Sequence, residues 1–236
     1  MADLSWLTAN PIAHRGFHDM NKERWENTLA AFYAAMERGY AIECDVHIAA
    51  DGEPVVFHDD ELKRLTGQDG KVWQRTASEL SALPIGGTRE RVPTLAEMLS
   101  TVNGEVPIVI ELKGIPGHDT GLVDSVLKCL RNYRGHVALM SFDHWILREL
   151  GQKADDFPIG LTGEGQAGSD LEAHFSMLGH RISFVSYSVA HLPNAFISFV
   201  KERLSMPVIT WTVRNQADAE KSYRCADQIT FEGFAP

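Results

Sequence analysis

The chain has 236 residues, 44% of them hydrophobic, which is enough to bury a full core as one large domain or two small ones. Its formal net charge of -10 disfavours nucleic acid and anionic membranes as main partners but is compatible with cation binding. No Ser/Gly/Pro-rich linker, charge block or internal repeat divides the sequence. We therefore expect one domain over residues 1–236.

The N-terminus and the cysteines indicate a cytoplasmic protein. The stretch "MADLSWLTANPIAHRG" has no basic region and no long apolar core, so no secretory signal is expected unless one has already been removed. No apolar run is long enough for stable insertion in a membrane. Cys44, Cys129 and Cys225 are odd in number and far apart, which is typical of reduced, buried thiols rather than of a disulfide or zinc site.

The first half of the chain alternates strand-like and helix-like segments. Asn27 and Gly39 fit the start and end of a first helix, and Thr94 and Glu97 have capping-box spacing at the start of another. A hairpin turn, "ADGE", separates the second and third strand-like runs. In chain order the segments are "NPIAH" (strand), "NTLAAFYAAMERG" (helix), "YAIECDVHI" and "PVVFH" (strands), "PTLAEMLSTV" (helix) and "VPIVIELKG" (strand).

The second half continues the alternation. Its segments are "GLVDSVLKCLRNY" (helix), "HVALMSF" (strand), "DHWILRELGQK" (helix), "FPIGLTG" and "RISFVSYS" (strands), "PNAFISFVKERLS" (helix), "MPVITWTV" (strand), "NQADAEKSYRC" (helix) and "ADQITF" (strand). About eight parallel-type strands, most followed by a helix, predict an α/β fold of the TIM (β/α)8 barrel type. A doubly wound open sheet is the alternative, but no glycine-rich dinucleotide turn follows any strand. Residues 60–91 lack a strong period and predict a small excursion of loops and short helices after the hairpin.

Alternation along the second strand separates acidic from apolar side chains. Glu43, Asp45 and His47 share one face, and Cys44 lies on the other face, which is predicted to pack against helices. Two buried carboxylates on one face repel each other unless cations compensate them. A solvated strand edge, or neutralisation by Arg and Lys, is the alternative to a metal site. His47 shares the inward face as a rim residue without an assigned role.

A third carboxylate strengthens the metal interpretation. Glu111 ends an apolar core strand, at the barrel face where active sites form, and Lys113 lies on the same face. Glu43, Asp45 and Glu111 together would offer an oxygen-rich site for Mg²⁺ or Ca²⁺. A buried ion pair between Glu111 and Lys113 is the alternative.

Two of the ten histidines differ from the rest in position. His14 and His58 each follow apolar strand residues directly, so they fit a general acid and base beside a metal-bound anion. Asp59 either orients one of them or lies at the edge of the loop, and Arg15 offers a bidentate donor for phosphate. Seven other histidines are predicted to be structural or surface residues: His18, His118, His136, His144, His174, His180 and His191.

The ordered set of motifs resembles one enzyme family over nearly the whole chain. "HRG" at 14–16, "EN-T" at 26–28, "E-C-D" at 43–45, "DG" at 51–52, "HDD" at 58–60, "PTL" at 93–95, "ELK" at 111–113, "SF" at 141–142 and "WTV" at 211–213 occur in order. They resemble the glycerophosphodiester phosphodiesterase family in its bacterial cytoplasmic form. The resemblance implies a TIM barrel that uses one divalent cation to hydrolyse glycerophosphodiesters to sn-glycerol 3-phosphate and an alcohol.

The resemblance also implies roles for individual residues. It implies metal ligands at Glu43, Asp45 and Glu111, an acid–base pair at His14 and His58, and substrate binding at Arg15, Lys113 and Trp211. Trp211 would line the glycerol side of the pocket, with a core-filling aromatic as the alternative. Glu26 and Asn27 resemble supports of the first loop.

The C-terminus departs from the family pattern. The family has an acidic or amide residue just after the Thr of the last strand and then a Pro, whereas this chain reads "QITFEGFAP". Phe231 occupies that position and Glu232 follows it. The departure bears on the edge of the pocket and therefore on substrate preference.

Two other functions remain open at this point. The first is a lysophospholipase D-like activity on larger lipid phosphodiesters, for which Leu62, Leu65 and Trp73 in the excursion would have to form an apolar groove. The second is a non-catalytic phosphodiester-binding protein, although binding alone needs no acid–base pair. The leaving alcohol, the choice between Mg²⁺ and Ca²⁺, the assignment of acid and base, and homo-oligomerisation are likewise open.

Overall fold

The computed structural model describes residues 3–236, and within them a nine-stranded sheet forms the centre of the molecule. The strands are β1 (Ile12–Ala13), β2 (Ala41–Ile48), β3 (Pro54–Val56), β4 (Ile108–Leu112), β5 (Val137–Ser141), β6 (Ile159–Gly163), β7 (Ile182–Ser188), β8 (Val208–Val213) and β9 (Gln228–Phe231). Eight of them are parallel neighbours in the order β1-β9-β8-β7-β6-β5-β4-β2, and pairing of β1 with β2 closes the ring. The predicted TIM barrel is therefore confirmed.

The ninth strand lies outside this ring. β3 pairs antiparallel with β2, with Val46 opposite Val56 and Ile48 opposite Pro54, as the predicted hairpin requires. The hairpin brings the chain back to the carboxyl end of the barrel at Phe57. This return places His58 beside the strands that carry the acidic residues.

Helices follow most of the parallel strands. They are α1 (Ser5–Ala9), α2 (Leu29–Met36), α3 (Lys63–Thr66), α4 (Ala77–Leu80), α5 (Leu95–Val102), α6 (Leu122–Leu130), α7 (His144–Lys153), α8 (Gly168–Met177), α9 (Ala195–Leu204) and α10 (Gln216–Tyr223). The sequence did not predict α1, which is too short for a periodic pattern. It also did not predict α8, whose buried face carries His174 and Met177 rather than an apolar stripe.

Capping explains two helix starts and corrects one prediction. The side chain of Thr94 accepts a hydrogen bond from the backbone N–H of Glu97, and the carboxylate of Glu97 accepts one from the N–H of Thr94, so the predicted capping box is confirmed. The N-cap of α2 is Thr28, whose hydroxyl accepts from the N–H of Ala31, so the predicted Asn27 cap is wrong. The side chain of Asn27 is used instead in the site described below.

Two apolar layers follow from alternation along the strands. Ile42, Cys44 and Val46 belong to the large cluster between the barrel and the helices, as predicted. The other set of strand side chains fills the barrel interior, with Leu7 of α1 at its lower end. Of the three thiols, all free, only Cys44 is buried; Cys129 and Cys225 are half-buried, which corrects the prediction for those two.

The excursion has an apolar cluster of its own. Residues 60–91 contain α3, α4 and a 3₁₀ turn over Val72–Gln74, as a region of short elements was predicted to do. Leu62 and Leu65 are buried in that cluster together with Val55 and Phe57 of the hairpin. These leucines therefore do not form an exposed groove for a lipid chain.

Within residues 3–236, none of the helices has both the length and the apolar character needed to cross a membrane.

Candidate active site

A cavity of about 180 Å³ opens at the carboxyl end of the barrel. The side chains that line it include every residue predicted to act in catalysis, metal binding or substrate binding: His14, Arg15, Glu43, Asp45, His58, Glu111, Lys113 and Trp211. The fold thus brings these residues together, at the end of the barrel where TIM-barrel active sites form.

Three carboxylates from β2 and β4 form one side of this cavity. Glu43, Asp45 and Glu111 are all buried, and each offers an oxygen within 4.8 Å of the others. Parallel pairing sets Asp45 directly opposite Glu111 in the sheet. Burial, reinforced by the charges of Asp45 and Glu111, raises the pKa of Glu43 well above its ordinary value. Burial also raises the pKa of Glu111, although Lys113 opposes that shift.

Two cations compensate part of this charge. The ammonium of Lys113 forms an ion pair with Glu111 and lies 3.0 Å from Asp45 Oδ1, and Arg15 Nε lies 3.3 Å from Asp45 Oδ2. The Glu111–Lys113 ion pair that the sequence offered as an alternative is therefore present. Burial opposes the ionisation of Asp45, but Lys113 and Arg15 hold its pKa well below the usual range. Asn27 Nδ2 donates to Asp45 Oδ2 over 2.9 Å.

The donor set fits a hard divalent cation. Three buried carboxylates face two cationic side chains, and burial, reinforced by the charges of Asp45 and Glu111, raises the pKa of Glu43. The oxygens of Glu43, Asp45 and Glu111 are the ligand type that Mg²⁺ and Ca²⁺ prefer. These three residues could therefore hold such an ion.

His14 is fixed by a carboxylate from the far end of the chain. Its Nδ1 lies 2.6 Å from Glu232 Oε2, and its Nε2 lies 4.0 Å from Glu43 Oε2. Burial lowers the pKa of His14 from its ordinary value despite the hydrogen bond with Glu232. Burial opposes ionisation of Glu232, but contacts with His14, His18 and Arg214 hold its pKa well below the usual range.

The two residues at which the C-terminus departs from the family pattern have different positions relative to the cavity. Phe231 is buried and packs against Tyr40 and Phe234 in the outer layer, so it does not reach the cavity. Glu232 faces the cavity instead, and Arg214 Nε donates to its Oε1 over 2.8 Å. No local pattern in the sequence predicts the contact of Glu232 with His14, because the two residues are 218 positions apart.

His58, like His14, forms a hydrogen bond with a carboxylate through Nδ1. Its Nδ1 lies 2.7 Å from Oδ1 of the adjacent Asp59, so of the two roles left open for Asp59, the geometry matches orientation of His58. Burial opposes the ionisation of Asp59, but His58 and Arg64 lower its pKa well below the ordinary value. His47, which had no assigned role, places Nε2 3.0 Å from the backbone carbonyl oxygen of His58 and thus supports the same loop.

Arg64 of the excursion also belongs to this network, although no motif in the sequence predicts it. Its guanidinium donates to both oxygens of Glu26, over 2.9 and 2.7 Å, and to both oxygens of Asp59, over 2.6 and 2.9 Å. Glu26 in turn accepts from Arg15 Nη1 over 2.7 Å. Arg64 therefore connects the Arg15 side of the cavity with the His58 side. The signal available in the sequence was its position five residues beyond Asp59, which is weak without the fold.

Aromatic rings form part of the cavity wall. Trp211 lines the cavity at the end of β8, and its ring meets Phe142 edge to face at 5.1 Å between centroids. Phe142 is about one-third exposed, and its ring centroid lies 5.9 Å from Lys113 Nζ. Trp211 therefore borders the cavity rather than only filling the core, and its glycerol-facing role stays a prediction.

Comparison with known proteins identifies the family of this chain. The model of the glycerophosphoryl diester phosphodiesterase family matches residues 14–230. A glycerophosphodiester phosphodiesterase of Caldanaerobacter subterraneus is 31% identical over 220 residues, which cover 89% of this chain and 88% of that protein.

Solved structures give the same result for the fold. The glycerophosphodiester phosphodiesterase of Thermotoga maritima is 27% identical with a TM-score of 0.74, covering 94% of each chain. An Oleispira antarctica phosphodiesterase, solved with the product sn-glycerol-3-phosphate, has a TM-score of 0.81 at 23% identity, covering 95% of this chain and 92% of its own. With the family model matching almost from end to end, the chain belongs to the glycerophosphoryl diester phosphodiesterase family.

Proposed function

We propose that this protein hydrolyses glycerophosphodiesters to sn-glycerol 3-phosphate and an alcohol, with one divalent cation and with His14 and His58 as the acid–base pair. Membership of the family and the 31% identity to a named glycerophosphodiester phosphodiesterase support the reaction. In the reaction an oxygen nucleophile forms a bond to phosphorus and the phosphorus–oxygen bond to the alcohol breaks. The alcohol leaves with a proton. Water as the nucleophile ends as a hydroxyl of the phosphate, whereas a glycerol hydroxyl as the nucleophile closes a cyclic phosphodiester that water then opens.

The observation that carries the proposal is the shared arrangement of the two histidines. The Nδ1 of His14 and the Nδ1 of His58 each form a hydrogen bond with a carboxylate, from Glu232 and Asp59 respectively. Such a bond fixes the ring orientation and leaves Nε2 for proton transfer. Both rings line the same cavity as the three carboxylates, so a phosphodiester between them can exchange a proton with each ring.

The other charged residues of the cavity have distinct tasks in this proposal. Glu43, Asp45 and Glu111 hold a divalent cation, Mg²⁺ or Ca²⁺. When bound, the cation stabilises negative charge on the phosphoryl oxygens. Arg15 and Lys113 supply further positive charge beside the phosphoryl group. One histidine removes a proton from the nucleophile, which is water or the neighbouring glycerol hydroxyl, and the other protonates the leaving alcohol.

A product assay tests the proposal directly. Purified protein with saturating Mg²⁺ or Ca²⁺ should release sn-glycerol 3-phosphate from glycerophosphocholine, and excess chelator should abolish the release. His14→Ala and His58→Ala should each lower kcat by about 100-fold or more, which is the range that general acid–base catalysis contributes. Lys63→Met, an exposed change in the excursion, serves as the control and should retain wild-type turnover.

The same assay separates the other candidate functions. Near-normal turnover by both histidine variants would overturn the acid–base assignment. Faster release from lysophosphatidylcholine than from glycerophosphocholine would favour a lysophospholipase D-like enzyme. Tight binding without turnover would favour a phosphodiester-binding protein. A diester with a nitrophenolate leaving group needs no protonation to leave, so its hydrolysis should persist in the variant that lacks only the acid.

A further inference from the structure

His18 is a buried histidine that does not line the cavity and has no role in the proposed reaction. It lies in the loop between β1 and α2, and its side chain is 4% exposed. Within the part of the chain that the structure describes, residues 3–236, its Nε2 has no hydrogen-bond partner. Buried polar atoms in native proteins are nearly always paired, and leaving one unpaired costs stability. A nitrogen in this position indicates an acceptor that it reaches in another state of the site.

The other ring nitrogen of His18 determines where the ring proton lies. Nδ1 accepts a hydrogen bond from the backbone N–H of Met20 over 3.1 Å, so the proton of the neutral ring lies on Nε2. Nε2 lies 3.5 Å from Oε2 of Glu232, the same oxygen that contacts His14 Nδ1 over 2.6 Å. A distance of 3.5 Å is at the outer limit of a hydrogen bond. A small movement of the ring or of the carboxylate would therefore complete the contact.

The carboxylate of Glu232 has one further contact in the cavity. Arg214 Nε donates to its Oε1, but the side chain of Arg214 is 59% exposed. An exposed, flexible side chain loses much conformational freedom when it is held in one geometry, so it fixes a carboxylate weakly. His18 is buried and is bound at Nδ1, so its ring is already held in place. His18 is therefore better suited than Arg214 to fix the orientation of Glu232.

We propose that His18 is a positioning residue: its Nε2–H holds the carboxylate of Glu232, and Glu232 in turn holds His14. The proposal rests on the proposed function, because His18 would affect turnover only through proton transfer at His14. Hydrogen bonds in active sites are often long in the free enzyme and tighten in the complex with substrate. We expect the contact between His18 and Glu232 to shorten in this way when a phosphodiester engages Nε2 of His14.

Steady-state kinetics with glycerophosphocholine separates positioning from a structural role. His18→Leu removes the donor and should lower kcat by about fivefold or more, with KM changed less than about twofold. His18→Gln keeps an N–H donor for Glu232 and a carbonyl acceptor for Met20, so it should restore most of kcat. A role limited to stabilising the loop that carries Glu26 and Asn27 would raise KM instead. Equal kcat in the Leu and Gln variants would contradict the proposal.

A double variant measures whether His18 acts through Glu232. In a Glu232→Leu background, His18→Leu should change kcat by less than about twofold, because the residue that transmits its effect is already absent. A further loss of about fivefold would show that His18 acts independently of Glu232, and the proposal would be wrong. His174→Leu is the matched control, because His174 is also buried but lies on α8 and does not line the cavity. This variant should keep the wild-type kcat.

Nitrogen NMR of histidine-labelled protein tests the arrangement without requiring turnover. Wild type should show a proton on Nε2 of His18 and on Nδ1 of His14. His18→Leu should shift the His14 resonances, whereas His174→Leu should leave them unchanged. A proton on Nδ1 alone of His18, or His14 resonances that His18→Leu does not affect, would overturn the proposal.

The two kinds of measurement distinguish this proposal from the proposed function. The expected spectra without release of sn-glycerol 3-phosphate by wild type would retain the contact of His18 with Glu232 and contradict the hydrolytic function. Release of product with His14 resonances that do not depend on His18 would retain the function and contradict the positioning role.

Discussion

The carboxylate of Glu232 is placed to influence the ring orientation and protonation of His14, a candidate catalytic residue. It contacts His14 at Nδ1 through Oε2, while its Oε1 accepts from Arg214. A carboxylate in this position holds the ring orientation and stabilises the protonated imidazole. We therefore infer that Glu232 positions His14.

Replacement of Glu232 should separate orientation from charge. Glu232→Gln retains a hydrogen-bond acceptor for His14 and should lower kcat by about tenfold, whereas Glu232→Leu should lower it by about 100-fold. KM for glycerophosphocholine should change less than about threefold in both, because Glu232 is proposed to act through His14. Steady-state kinetics of the two variants beside wild type checks this. An equal effect of Gln and Leu would contradict the orienting role.

Glu26 gives a prediction about pH and stability. Burial opposes its ionisation, but Arg64, Arg15 and Asn21 lower its pKa from 4.5 to about 2. A lowered pKa contributes stability that is full above the unfolded value and is lost as the pH falls toward the folded value. Glu26→Gln should therefore reduce the free energy of unfolding by about 3 kcal/mol at pH 7. The difference from wild type should shrink between pH 4.5 and pH 2.

Urea unfolding at several pH values measures this difference. Glu202→Gln, an exposed change on α9, is the control and should leave the pH dependence as in wild type. A deficit in Glu26→Gln that stayed constant as the pH fell would show that its cause is packing rather than ionisation.

At the scale of elements, the excursion is attached to the barrel at its functional end. Arg64 of α3 binds Glu26 of the first loop and Asp59 of the loop after β3 at the same time. One planar guanidinium can bind both oxygens of two carboxylates in this way, whereas an ammonium has only three donors and cannot form two paired contacts. The excursion is therefore linked to Arg15 through Glu26 and to His58 through Asp59.

Arg64→Met should lower kcat/KM for glycerophosphocholine by about tenfold or more, because both contacts are lost together. Arg64→Lys should not restore wild-type activity, since a single ammonium cannot replace the paired N–H donors of the guanidinium. Lys63→Met is the neighbouring control, because Lys63 pairs with exposed Asp69 and should be dispensable. Full activity in Arg64→Lys would show that charge alone is sufficient.

At the scale of the whole molecule, ionisation of all three buried carboxylates costs stability unless a bound cation compensates it. Saturation of the protein with Mg²⁺ or Ca²⁺ to about 100 times Kd should therefore raise Tm by about 5–10 °C. Glu111→Gln should lose most of that rise, and Asp124→Asn on the surface should keep it. Differential scanning calorimetry with and without chelator checks this prediction. An unchanged Tm in wild type would contradict the metal site.

Local patterns in the sequence predicted much of the architecture. Alternation placed Cys44 in the outer layer and Glu43 and Asp45 in the barrel, and the Thr94–Glu97 spacing predicted a capping box that the structure contains. The prediction of Asn27 as the N-cap was wrong because Thr28 also fits the cap position. The contact of Asn27 with Asp45 distinguishes the two residues. The prediction of one domain over residues 1–236 stays a prediction.

The sequence by itself determined the strands, their inward carboxylates and the two histidines, because side-chain alternation depends only on neighbouring residues. Tertiary structure decided which groups support them. Closure of the ring sets β1 beside β9, and this brings Glu232 to His14 across 218 positions. The same closure brings Glu232 to 3.5 Å from His18, a contact that has no counterpart in local sequence. Such pairings depend on how the strands meet in space, so the periodic pattern of side chains along the sequence does not predict them.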